Sequence, residues 1–149
     1  MRALVTVGIC LAGCAYQPGS FESLRQPFDG SRATVGCLDV AVTRRADPPA
    51  GVAVVSYVFG NRCDRPALVD LAGVDVVGRL ANGHAVELTA YDPSHELAAL
   101  WIDGRAVGHE AIAYRSTSPL REICVDAASI ARTETVRWLC LASSSQEVP

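Results

Sequence analysis

The chain has 149 residues, a formal net charge of -3 and 50% hydrophobic residues, which is one domain's worth and enough to bury a real core. All 13 basic residues are arginine and they form no basic stripe, so composition argues against a nucleic-acid-binding face.

The first element is the apolar run ALVTVGICLAGC, residues 3–14, behind Met1 and Arg2. A membrane-spanning helix needs roughly 20 apolar residues, so this run is too short to span. It fits the hydrophobic region of a secretory signal, with Arg2 as a minimal positive flank. The run ends Leu11-Ala12-Gly13-Cys14, small residues directly before a thiol. That ending resembles the lipobox of bacterial lipoproteins. The resemblance implies cleavage between Gly13 and Cys14, a diacylglyceryl group on Cys14, and an acylated new amino terminus. Residues 1–13 are then a signal peptide, and two or three acyl chains anchor the mature protein to a bilayer without spanning it. Position 15 is alanine, where the family often has aspartate for retention at the inner membrane. The resemblance therefore implies the outer membrane, on its periplasmic side.

Residues 14–36 read as a lipidated N-terminus and flexible tether, broken by Pro18, Gly19, Pro27 and Gly30. About twenty flexible residues have an end-to-end distance of roughly 25 Å, so the domain is expected to stand clear of the lipid. Within the tether Phe21, Leu24 and Phe28 recur at helical spacing after Ser20. They either fold back on the domain or form a short docking segment for an envelope partner.

From Cys37 onward the period is two. In CLDVAVT, Leu38, Val40 and Val42 alternate with Asp39, Ala41 and Thr43, a strand with one buried face. VAVVSYVF (52–59) is apolar on both faces and reads as a central strand. ALVDL (67–71) and VDVVGRL (74–80) read as one long extended segment, with Gly73 a candidate bulge. Asn82-Gly83 predicts a type I′ hairpin into AVELTAY (85–91). ELAALWI (96–102) suits a helix or a strand, and is read as one arm of a hairpin turning at Asp103-Gly104 into residues 105–115. EICVD (122–126) is a short strand, DAASIA one helical turn, and ETVRWLCLA (134–142) the last strand, with Val136, Trp138 and Cys140 on one face. Residues 143–149 are a polar, frayed tail.

Seven to eight short strands with regular turns predict an all-β, two-sheet antiparallel sandwich over residues 37–142. The stretch AVVSYVFGNRCDRPALVDLAGVDV looks like the second and third strands of immunoglobulin-like bacterial envelope domains. The antibody-type inter-sheet cysteine spacing is absent, and those details do not carry over.

Cys10 leaves with the signal and Cys14 carries lipid, which leaves Cys37, Cys63, Cys124 and Cys140. An even number in an exported chain predicts disulfides, and four cysteines allow three pairings. Antiparallel pairing of successive strands favours Cys37–Cys63 and Cys124–Cys140. No pair has the C-x-x-C spacing of a zinc site.

Catalytic motifs are missing. The three histidines, His84, His95 and His109, show no H-x-H or H-E-x-x-H spacing. There is no G-x-S-x-G elbow and no glycine-rich phosphate loop, so no cofactor is expected. Ser94-His95 are adjacent without being oriented, and Asp92 and Asp103 sit in turns, where aspartate caps backbone. Trp138 is expected in the core and Trp101, near a hairpin tip, is a candidate recognition anchor. The expected role is a lipid-anchored binding or accessory module of the cell envelope, not an enzyme. The alternatives are a periplasmic metal-binding protein, or an enzyme with a site around His95 and Glu96.

Overall fold

The computed structural model describes Tyr16, residues 30–91 and residues 99–143. Its elements are β1 (Ser31–Val35), β2 (Leu38–Arg44), β3 (Val52–Asn61), β4 (Ala67–Val69), β5 (Val76–Leu80), β6 (Ala85–Glu87), β7 (Leu100–Ile102), β8 (Val107–Arg115), β9 (Leu120–Asp126), α1 (Ala127–Ile130) and β10 (Trp138–Ala142). One four-stranded sheet has the order β1-β2-β3-β8, a second has β10-β9-β5-β6, and β4 and β7 pair as a small ribbon. Every pairing is antiparallel. Apart from β1, the orders β2-β3-β8 and β10-β9-β5-β6 follow the A-B-E and G-F-C-C′ arrangement of immunoglobulin-type sandwiches.

The core forms between the two sheets. Val40, Val42, Val55, Tyr57, Phe59, Ile112 and Tyr114 face inward from the first sheet, and Val76, Ile123, Val125, Leu139 and Leu141 from the second. Tyr57 and Phe59 stack at 5.9 Å between ring centroids, and the buried hydroxyls of Tyr57 and Tyr114 meet at 2.6 Å. Pairing satisfies hydroxyls that burial would otherwise leave without partners. α1 is a single turn capped by Asp126, whose carboxylate accepts from the Ala128 amide at 3.0 Å and the Arg137 amide at 2.8 Å.

Among the described residues ten strands replace the expected seven to eight, for local reasons. The expected tether contains β1: Ser31–Val35 pairs along its whole length with β2. The alternation of Ala33 and Val35 toward the core is too short to stand out beside Pro27 and Gly30. The single segment expected at 67–80 is two strands, since β4 joins the ribbon with β7 and β5 lies in the second sheet. The hairpin expected at Asp103-Gly104 does not form as such, because β7 pairs with β4 and not with β8. The hairpin at Asn82-Gly83 forms between β5 and β6, but only Gly83 has positive φ (+85°). Gly83 donates to the Leu80 carbonyl at 3.0 Å, so the connection is a three-residue loop with a left-handed glycine, not a type I′ turn.

Two burial expectations also change. β2 is buried on both faces over Leu38–Val42, because Asp39, on its outward face, is covered. Trp138 is not core. The period of two holds in β10, but its phase is reversed: Leu139 and Leu141 point inward, while Trp138 and Cys140 point outward.

Candidate functional site

The two ends of the sandwich are built differently, and the richer end gathers around Tyr16. β2 begins, β3 ends and β8 begins at this end, from the registers Leu38↔Asn61 and Gly60↔Val107. Cys37, just before β2, is bonded to Cys63, just after β3. This is the expected pairing, and it ties the loop after β3 to the turn between β1 and β2. The second expected pair also forms: Cys124 and Cys140 stand directly opposite in β9 and β10, with Cα atoms 4.0 Å apart.

Asn61 organises the loop that follows it. It is fully buried, and its amide nitrogen donates to the carbonyls of Arg65 (2.8 Å), Ile102 (3.1 Å) and Asp103 (3.1 Å). Its side-chain oxygen accepts from the Cys63 amide at 3.0 Å. One side chain thus fixes two loops, residues 61–66 and 103–106. Gly104 lets them touch, because a Cβ there would collide with the Asp64 backbone. The Arg105 amide donates to the Cys63 carbonyl at 3.0 Å, and the Asn61 amide to the Ala106 carbonyl at 2.9 Å. Arg105 sits in the left-handed region at φ +58° and pairs with Asp64 at 2.8 Å.

Tyr16 closes this end. It is 6% exposed and lies on the outward face of the first sheet. Its ring fills the space over Gly60, where any side chain would overlap it. Its hydroxyl donates to the Asp39 carboxylate, and its amide to the Arg105 carbonyl at 2.6 Å. Asp39 also accepts from the Thr34 hydroxyl at 2.6 Å and faces Arg62 at 3.8 Å. A buried carboxylate is tolerated only with such partners.

Among the described residues the exposed large hydrophobic ones are Trp101, Val107, Val136 and Trp138. Val107 is the first residue of β8, opposite Gly60. Trp101 is 66% exposed, opposite Leu68 in the ribbon, one residue before the Ile102 carbonyl that Asn61 holds. Arg44, at the far end of β2, donates to the Leu120 carbonyl at 3.1 Å, which sets the start of β9 at that far end. β9 therefore finishes, and β10 begins, at the Tyr16 end, with Trp138 opposite Asp126. Trp138 flanks the Cys124–Cys140 disulfide, and with Val77 and Arg79 these residues line an outward apolar recess of about 280 Å³.

At the opposite end a cavity of about 370 Å³ lies between Arg44, the Pro48–Ala53 turn and residues 116–120. Prolines, small apolar side chains and the hydroxyl residues Ser116, Thr117, Ser118 and Ser143 line it together. Burial lowers the pKa of Arg44.

Cys14, Phe21, Leu24, Phe28, Asp92, Ser94, His95 and Glu96 lie outside the described residues. His84 is exposed after the hairpin turn, and His109 is exposed on β8. Among the described residues, the grouping within ligand distance of a shared metal is Glu122 with Cys124 and Cys140, and both sulfurs there are in a disulfide. Sequence reading missed Tyr16, Asp39, Asn61 and Gly104. The legible trace was Gly60, a gap in an otherwise filled strand.

No protein-family model matches the chain, and no curated protein matches it. Among solved structures it is similar to the crystal structure of the yjhA protein from Bacillus subtilis, with a TM-score of 0.49 and 8% identity over 75% of this chain and 95% of that one.

Proposed function

We propose that the protein is a lipid-anchored module of the cell envelope that binds or supports a partner and is not an enzyme. The observation that carries this reading is the apolar run ending Leu11-Ala12-Gly13-Cys14. Two disulfides support it, since such bonds persist in exported proteins and are rare in the cytosol. A stiff sandwich with loops fixed at one end suits recognition, which needs a positioned surface. Ala15 favours the outer membrane, on its periplasmic side. Phe21, Leu24 and Phe28 are the proposed partner segment.

Metabolic labelling with a radioactive fatty acid tests the anchor. The wild type is expected to take up label and sediment with membranes, and Cys14→Ser to lose both. An unlabelled wild type, or label that survives Cys14→Ser, overturns the reading. In-cell crosslinking tests the partner. A reproducible envelope protein lost on changing Phe21, Leu24 and Phe28 to alanine supports the accessory role, and a clean bait counts against it.

A further inference from the structure

We infer that the Tyr16 end of the sandwich is the face that sits on the lipid bilayer, with Trp101 and Trp138 in the headgroup layer. The inference rests on the proposed acylation of Cys14 and fixes how the domain is held.

The first argument is chain length. Cys14 is two residues before Tyr16, so their Cα atoms are within about 7 Å of each other. Tyr16 is not part of a loose spacer. Its ring is seated over Gly60, its hydroxyl is bound by Asp39, and its amide by the Arg105 carbonyl. An acyl group on Cys14 would therefore leave the domain at this end, held close. The stand-off of roughly 25 Å that a free tether would give does not apply.

The second argument is the placement of apolar surface. Among the described residues the exposed large hydrophobic side chains lie at or beside the Tyr16 end of a strand: Trp101 in β7, Val107 opening β8, Trp138 opening β10 and Val136 two residues before it. None lies at the Arg44 end among the described residues. The two indoles are 66% and 46% exposed. Tryptophan favours the membrane–water interface, where its ring is apolar and its N–H finds a partner. Acyl chains and interfacial side chains at one end of the sandwich add their affinities, because the anchor has already brought that end to the surface.

The test uses the full-length, acylated protein in phosphatidylcholine–phosphatidylglycerol vesicles. Trp138→Phe leaves Trp101 as the single indole, and Trp101→Phe leaves Trp138. In vesicles containing lipids brominated near the headgroup, both indoles are expected to be quenched and blue-shifted, and shielded from aqueous iodide. Tyr16→Ala releases the clamp and is expected to lose the quenching while the protein still floats with the vesicles. Tyr16→Phe keeps the ring and is expected to retain it, so the pair separates loss of docking from loss of folding. If both indoles stay open to iodide in vesicle-bound protein whose Cys14 peptide carries the acyl mass, the orientation is overturned and the anchor stands. If the Cys14 peptide carries no acyl mass, the anchor reading itself falls, and this inference with it.

Discussion

The two ends of the sandwich are opposites in construction. The Tyr16 end is held by a disulfide, by the four hydrogen bonds of Asn61 and by a backbone approach that only Gly104 permits. The Arg44 end is an open cavity bounded by a proline turn and a serine-rich loop, with one arginine bond across it. Tighter construction normally means better-covered hydrophobic surface, yet the exposed tryptophans and valines are at the tight end. Rigid backbone holds those exposed apolar side chains in fixed positions. That arrangement makes sense where another surface covers it.

The largest way to break this contrast is to remove the disulfides one at a time. Cys37→Ser with Cys63→Ser opens a separation of 26 residues, and Cys124→Ser with Cys140→Ser opens one of 16. On loop-closure entropy each should cost about 3 kcal/mol, with the longer loop costing slightly more. The Cys124–Cys140 pair joins strands that are already hydrogen-bonded neighbours, so its native geometry survives reduction. The Cys37–Cys63 pair holds a loop against a turn, and its loss should also free the Tyr16 seat. Urea unfolding of the two double variants measures this. A clearly larger loss for the Cys124–Cys140 variant would move the main constraint out of the Tyr16 end.

Asn61→Ala sharpens the contrast next. It strands the Cys63 amide and removes the donor to three carbonyls in a fully buried position. An unsatisfied buried group costs about 1–3 kcal/mol, so this variant should lose about 2 kcal/mol. Arg44→Ala, its counterpart at the open end, removes a single hydrogen bond, to the Leu120 carbonyl, and should lose about 1 kcal/mol or less. Equal losses would mean that the two ends are equally constrained.

The Tyr57–Tyr114 pair, between the two ends, should matter through pH. Burial pushes the Tyr114 hydroxyl up to about 12, and burial together with the neighbouring Tyr114 pushes Tyr57 higher still. Both groups ionise less readily folded than unfolded. Their contribution is therefore complete below the unfolded pKa of about 10 and is lost as pH rises from there toward 12 and beyond. Tyr57→Phe should cost about 1 kcal/mol at neutral pH and flatten the alkaline fall. Thermal melts between neutral pH and pH 11 follow both effects. An unchanged alkaline slope in Tyr57→Phe would assign the fall to other groups.

What the sequence made legible follows from the range of each interaction. The all-β class and the sandwich were readable because alternation in stretches such as 38–43 and 52–59 is local. Both disulfides were readable because their partners flank adjacent strands. The phase of β10 was not, because Trp138 and Leu139 are both apolar and only the inward register of Leu139 against Val125 decides between them. β1 hid behind proline and glycine neighbours. The Tyr16 seat was illegible for a different reason. It joins residues 23 apart through one hydroxyl, one carboxylate and a glycine gap, and no periodicity marks such a contact.

The smallest effect is also the most discriminating for the Tyr16 end. Arg105 makes an exposed ion pair with Asp64 and adopts φ +58°. The ion pair is worth about 0.2–1 kcal/mol, and Arg105→Ala, which keeps the strained backbone, should lose that much. Arg105→Gly loses the same pair but relieves a left-handed conformation that costs a side-chain-bearing residue about 1 kcal/mol. The two terms nearly cancel, so Arg105→Gly should match the wild type within about 0.5 kcal/mol in urea unfolding and exceed Arg105→Ala. High salt should narrow the gap between wild type and Arg105→Ala and leave that between the two variants unchanged, since only the ion pair is screened. If glycine proves no better than alanine, the backbone carries no strain at Arg105, and the close approach at Gly104 is reached without it.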